Sequence, residues 1–187
     1  MSAGHGHGHA PGEHGGGNKR VALLISVLAL VLAFSETLGK AAQTNAIAYN
    51  VEASNLWAFF QAKTIRQTVL RTAAEEVESG SPSETQKKQV AKWKETAQRY
   101  QSEPDTGEGR DQLAARAKQA ENKRHQSMAS YHHYESASAA VQIGIVLASA
   151  AIIAEMAVLA WIGAALGVVG IFFCVIGAFF PMALHLF

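Results

Sequence analysis

Apolar residues are gathered at the two ends of this chain, and polar residues fill its middle. Val21 to Phe34, extendable to Leu38, forms one apolar run directly after Lys19-Arg20. From Ser136 to Leu184 the only charged residue is Glu155, so this second run is long enough for two crossings at roughly 20 residues each. The pattern predicts an all-α membrane protein with membrane helices over 19–40, 137–154 and 160–180, a turn at 155–159 and a tail at 181–187. Glu155 is expected in the turn, because a carboxylate at the bilayer centre costs about 3 kcal/mol whereas one at the interface costs little.

The middle of the chain is also helical by its spacing. Ile47, Val51, Ser54, Ala58, Ala62, Ile65, Val69 and Ala73 recur every three or four residues, which predicts an amphipathic helix over 41–77. The cluster from Glu78 to Pro82 ends it. Ser81-Pro82-Ser83-Glu84 reads as a capping box with proline at the first helical position, opening a helix over 83–102 whose seam is Gln86, Val90, Trp93, Ala97 and Tyr100. Pro104-Asp105-Thr106-Gly107 breaks that helix. A third, over 111–136, carries Leu113, Ala117, Ala120, Arg124, Ser127, Tyr131 and Tyr134, and runs into the second span with no glycine or proline at the junction. Residues 41–136 are therefore expected to form an elongated, coiled-coil-like stalk. Its thin alanine core leaves a wide apolar face on the first arm that calls for a partner. Trp57, Phe60 and Ile65 are the candidate contact residues on that arm.

Small residues add a second candidate face. Gly163, Gly167, Gly170, Cys174 and Gly177 step by 4, 3, 4 and 3 along the third span, while Ser136, Ala140, Gly144 and Ala148 form a strip on the second. In lipid, where apolar side chains gain little by leaving the acyl tails for each other, such faces bring backbones close together. The two strips are expected to meet within the hairpin, with contact between protomers as the alternative. Gln142, the strongly polar side chain of the second span, is expected to bond near the interface or to a neighbouring helix.

Charge and composition narrow the function classes. Between Ala41 and Ala137 there are 13 Lys/Arg against 12 Asp/Glu, which lacks the basic excess of a nucleic-acid binder. One cysteine, Cys174, allows no intrachain disulfide. The first 18 residues hold seven Gly and four His, so a disordered tail is expected over 1–18. Lys19-Arg20 followed by the apolar run and Val31-Leu32-Ala33 also permits a signal-peptide reading, against which stand the long leader and the uninterrupted helical sequence that follows. His5, His7, His9 and His14 are candidate ligands for Zn²⁺, Ni²⁺ or Cu²⁺, although only Glu13 accompanies them. His125, His132 and His133 read as surface or interfacial residues. No phosphate-binding loop, nucleophile elbow or metalloprotease helix is present, so neither enzymatic activity nor a bound cofactor is expected.

The run Asn55-Leu56-Trp57-Ala58-Phe59-Phe60-Gln61-Ala62-Lys63-Thr64-Ile65-Arg66-Gln67 follows the first span, and Val141-Gln142-Ile143-Gly144-Ile145-Val146-Leu147-Ala148-Ser149 lies in the second. Together they resemble a bacterial family of small membrane proteins carried under a domain-of-unknown-function label, family 4337. The similarity covers most of 19–180, and it implies the organisation above without implying an activity, substrate or catalytic residue. A His-rich leader is also similar to what such proteins carry, although this one is richer in glycine and poorer in acid.

The expected function is a membrane-anchored scaffold that self-associates as a homo-oligomer or serves as an accessory subunit of a host membrane complex. A metal-handling protein using the His tail is the first alternative, and a small pore or transporter component the second. Lys19-Arg20 beside the first span favour an amino terminus on the cytoplasmic side of a bacterial inner membrane and a stalk in the periplasm, although Lys40, Lys118, Lys123 and Arg124 argue the other way.

Overall fold

The computed structural model describes residues 15–183. Four helices account for nearly all of them: α1 (Gly15–Ser79), α2 (Glu84–Gln101), α3 (Arg110–Ile153) and α4 (Ala157–Phe179). Among the described residues there is no strand. Stretches of α1, α3 and α4 are long and apolar enough to cross a membrane. The expected tail over 1–18, with His5, His7, His9 and His14, lies almost wholly outside the described residues.

The chain divides into two compact units. Among the described residues, one holds 15–41 and 129–183, and the other is Ala42–Met128. The first contains the apolar part of α1, the C-terminal part of α3 and all of α4. The second contains the polar part of α1, α2 and the N-terminal part of α3.

Helix α1 runs unbroken because neither proline nor a turn-forming cluster interrupts it before Ser79. Its inward side repeats at three, four and seven residues through Leu28, Ser35, Gly39, Ala42, Ala46, Ala53, Leu56, Lys63, Gln67 and Ala74, all buried. The apolar row read from the sequence lies on a different side of the helix, as a face left for a partner would. Ile47, Val51, Ser54, Ala58, Ala62, Ile65 and Val69 form a row of the expected spacing, but every one of them is exposed. The inward row won because its small side chains let neighbouring helices approach, while its polar members find hydrogen-bond partners.

The start of α2 is corrected. Ser83, not Ser81, is the N-cap: its hydroxyl accepts from Gln86 N at 3.4 Å, and Gln86 Oε1 accepts from Ser83 N at 2.8 Å. Two overlapping Ser-x-x-Glu/Gln motifs compete here, and the second places Glu84 in the first turn, where the helix dipole favours an anion and Lys87 lies 2.8 Å away. In the loop between α2 and α3, Gly107 takes φ +68°, a left-handed conformation that glycine adopts without Cβ strain.

The turn between α3 and α4 needs only residues 154–156, shorter than the expected 155–159. Glu155 adopts φ +55°, and this single left-handed residue after the helix end reverses the chain. The core of the second unit is a cluster of Ala53, Leu56, Leu113, Ala117 and Ala120, with Trp57 and Phe60 packed against it.

Candidate interaction surfaces

In the first unit, the small-residue face of α4 is shared between two neighbours. A Cβ added at Gly163 would stand 2.7 Å from Gly144 O, and one at Gly144 would stand 2.9 Å from Gly163 O. Gly170 lies against Val141 and Ala137, and Gly177 against His133 and Tyr134. These three glycines, seven residues apart, therefore face α3. The intervening heptad positions turn to α1: Gly167 abuts Leu28, and Cys174 Sγ lies 3.0 Å from Ser35 Oγ. The expected pairing of Gly144 and Ala148 with the third span is present. Ser136 and Ala140 are only half-buried, and Ala137 and Val141 occupy the contact instead.

Two polar side chains of this unit meet: Gln142 Nε2 donates to Glu36 Oε1 at 3.3 Å, and both residues are exposed. His133 is 1% exposed and stacks on Phe173, with its Nε2 3.1 Å from Pro181 O.

The second unit is tied together by a polar cluster that sequence reasoning missed. Gln67 Nε2 donates to Ala97 O at 2.9 Å and to Gln101 Oε1 at 3.1 Å, while Gln67 Oε1 accepts from Arg110 Nη1. Arg110 also donates to Gln101 Oε1 at 3.0 Å and lies over the Phe60 ring. One glutamine thereby joins α1, α2 and α3. Nearby, Lys63 is buried with its ammonium 3.7 Å from Glu103 and 3.8 Å from Glu108, over the rings of Phe59 and Tyr100. Arg99 reaches the same Glu103 at 3.0 Å. That hydrogen bond, with Thr106 and the charges of Arg99 and Lys63 assisting, holds the Glu103 carboxyl below the ordinary carboxylate range despite partial desolvation. Trp57 Nε1 donates to Glu121 Oε1 at 2.8 Å.

The candidate contact residues thus divide. Trp57 and Phe60 belong to the unit's own packing, and Gly163, Gly167, Gly170 and Gly177 are buried against α1 and α3. Ile65 is 65% exposed and Val69 61%, along with Ile47 and Val51 on the same row. The legible signal for the polar cluster was register: Lys63 and Gln67 continue the spacing of Leu56 and Phe60. Among the described residues, no group of three or more His, Cys, Asp or Glu stands close enough to hold a metal ion.

The family described as Domain of unknown function (DUF4337) matches residues 17–180. No curated protein and no solved structure matches the chain. Both sequence runs that carry the family resemblance supply interhelical contacts: Leu56, Trp57, Phe60, Lys63 and Gln67 in one, Val141, Gly144 and Ala148 in the other.

Proposed function

We propose that this chain, which belongs to the family described as Domain of unknown function (DUF4337), is a membrane-anchored helical scaffold that assembles through the outer row of α1. One observation carries the reading. Ile47, Val51, Ser54, Ala58, Ala62, Ile65 and Val69 lie exposed at heptad-like spacing over roughly 33 Å of helix, beside a separate inward row that already fills the unit's core. A helix needs one apolar row to join its own unit; a second, equally regular row fits another helix.

In this reading the three apolar helical segments anchor the protein in a bacterial inner membrane, and the intervening helices form an extramembrane stalk. Lys19-Arg20 favour a stalk on the periplasmic side. The occupant of the outer row is a second copy or a subunit of a host complex, and no catalytic activity is assigned.

The test is the mass and composition of the complex released intact in a mild detergent or membrane-solubilising polymer. A homo-oligomer supports self-assembly, and stoichiometric foreign subunits support an accessory role. A bare monomer overturns the proposal.

A further inference from the structure

We propose that the occupant of the outer row of α1 is a second copy of this chain, paired antiparallel about a two-fold axis beside Ala58. The pairing rests on the assembly reading above and names its partner and orientation. Exposed positions 47, 51, 54, 58, 62, 65 and 69 are spaced 4, 3, 4, 4, 3 and 4, an order that reads the same from either end. The residues mirror each other as well: Ile47 answers Val69, Val51 answers Ile65 and Ser54 answers Ala62, with Ala58 at the centre. An antiparallel two-fold axis sets each position against its mirror image, so branched residues meet branched ones at both ends and small ones meet in the middle. A parallel pair sets each residue against itself and demands no such order.

Two charges beside the row favour the antiparallel choice. Glu52 and Arg66 are exposed, and among the described residues neither takes part in an ion pair. They stand 14 residues apart, close to four turns, and so lie on the same side of α1. The mirrored register sets Glu52 opposite Thr64 of the second copy, two residues or about 3 Å of helix rise from Arg66 of that copy. A guanidinium side chain spans that offset, and the two-fold axis repeats the contact. In an antiparallel pair the same sides of the two helices meet. In a parallel, in-register pair opposite sides meet, and Glu52 would stand about 21 Å along the axis from Arg66.

The shape of the row suits such a contact. Ser54, Ala58 and Ala62 let two helix axes approach toward the short end of the usual range of about 8–10 Å. Ile47, Ala58 and Val69 recur every 11 residues, about 3.67 per turn, which keeps the row on one side of a nearly straight helix. The chain enters the row at its Ile47 end, from the apolar stretch of α1. Two copies in an antiparallel pair therefore enter the seam from opposite ends, and the pair joins two facing membranes.

The test uses the full chain with Cys174→Ser, which removes its one cysteine, and single new cysteines oxidised in native detergent. Ala58→Cys, on the two-fold axis, links to itself. Ile47→Cys and Val69→Cys link to each other when mixed and not to themselves, because the register separates like positions by roughly 33 Å. Self-linking of Ile47→Cys overturns the antiparallel pairing. Charge reversal gives a readout without cysteines: Glu52→Arg or Arg66→Glu alone weakens the dimer about tenfold through two symmetry-related contacts, and the two together restore it. A double reversal no tighter than either single one overturns the register. Phosphatidylcholine vesicles carrying the wild type cluster, and vesicles that stay dispersed overturn the joining of facing membranes. Failure of the assembly reading is read separately, from the mass of the native complex. Foreign subunits with no self-linking of Ala58→Cys overturn the antiparallel pairing alone, and a bare monomer overturns both.

Discussion

Gly144 and Gly163 approach so closely that each blocks a side chain on the other: a Cβ at either would come within 3 Å of its neighbour's carbonyl oxygen. Backbone cannot swing aside as a side-chain tip can. Gly163→Ala therefore forces α3 and α4 apart and is expected to cost about 1–3 kcal/mol, the range for overpacking. Gly167→Ala meets the end of the Leu28 side chain, which can change rotamer, and should cost less. Thermal unfolding in detergent, followed by circular dichroism, checks the order of the two variants. Equal destabilisation would show that Leu28 is as immobile as the backbone.

The all-helical class and the three apolar segments were legible because hydropathy and spacing report them directly. The inward face of α1 was not. Its buried members include Ser35, Gly39, Ala42, Ala46, Lys63 and Gln67, which a search for apolar periodicity passes over, while Ile47, Val51, Ile65 and Val69 outside are the more hydrophobic set. In close-packed helices, approach distance and hydrogen bonding can outweigh side-chain hydrophobicity. The glycine face of α4 was legible as a face, yet its division between α3 and α1 was not. A stripe at spacings of 4 and 3 does not say that Gly163, Gly170 and Gly177 have one neighbour and Gly167 and Cys174 another.

Gln67 is 2% exposed and satisfies groups on two other elements at once. Gln67→Leu keeps the volume but removes one of the two acceptors of Arg110, which keeps Gln101 Oε1, and takes a donor from both Ala97 O and Gln101 Oε1. An abandoned buried polar group costs about 1–3 kcal/mol, so a loss of roughly 2 kcal/mol is expected. Hydrogen exchange should show faster opening of α2, because both Ala97 and Gln101 belong to it. A double-mutant cycle with Arg110→Met isolates the coupling: additive effects would mean that Gln67 and Arg110 act independently.

Glu103 makes the second unit sensitive to acid. Its pKa is lowered in the folded state, first by the Arg99 hydrogen bond. A carboxyl with a depressed folded pKa contributes stability above its unfolded pKa, and that contribution fades as pH falls through the folded value. Wild type should therefore melt above Glu103→Gln at neutral pH, and the difference should shrink and vanish in acid. Melting temperatures of both proteins across that range supply the check. A gap that persists at a pH below the folded pKa would assign the effect to packing rather than to charge.

The outer row of α1 makes the sharpest claim on assembly. Ile65 and Val69 are 65% and 61% exposed, so replacing both by glutamate should alter the fold's own stability by only about 1 kcal/mol, two surface changes plus a like-charge pair one turn apart. A facing copy, however, would then meet two carboxylates inside an apolar seam. Ile65→Glu with Val69→Glu is expected to reduce the complex to its single-chain mass while helix content stays unchanged. Leu113→Ala provides the contrast: fully buried in the core cluster, it should cost about 2–5 kcal/mol in stability, with assembly lost only as unfolding sets in. Mass measured in native detergent, paired with melting curves, separates the two behaviours. If the glutamate pair leaves the assembled mass unchanged, the outer row is not the seam.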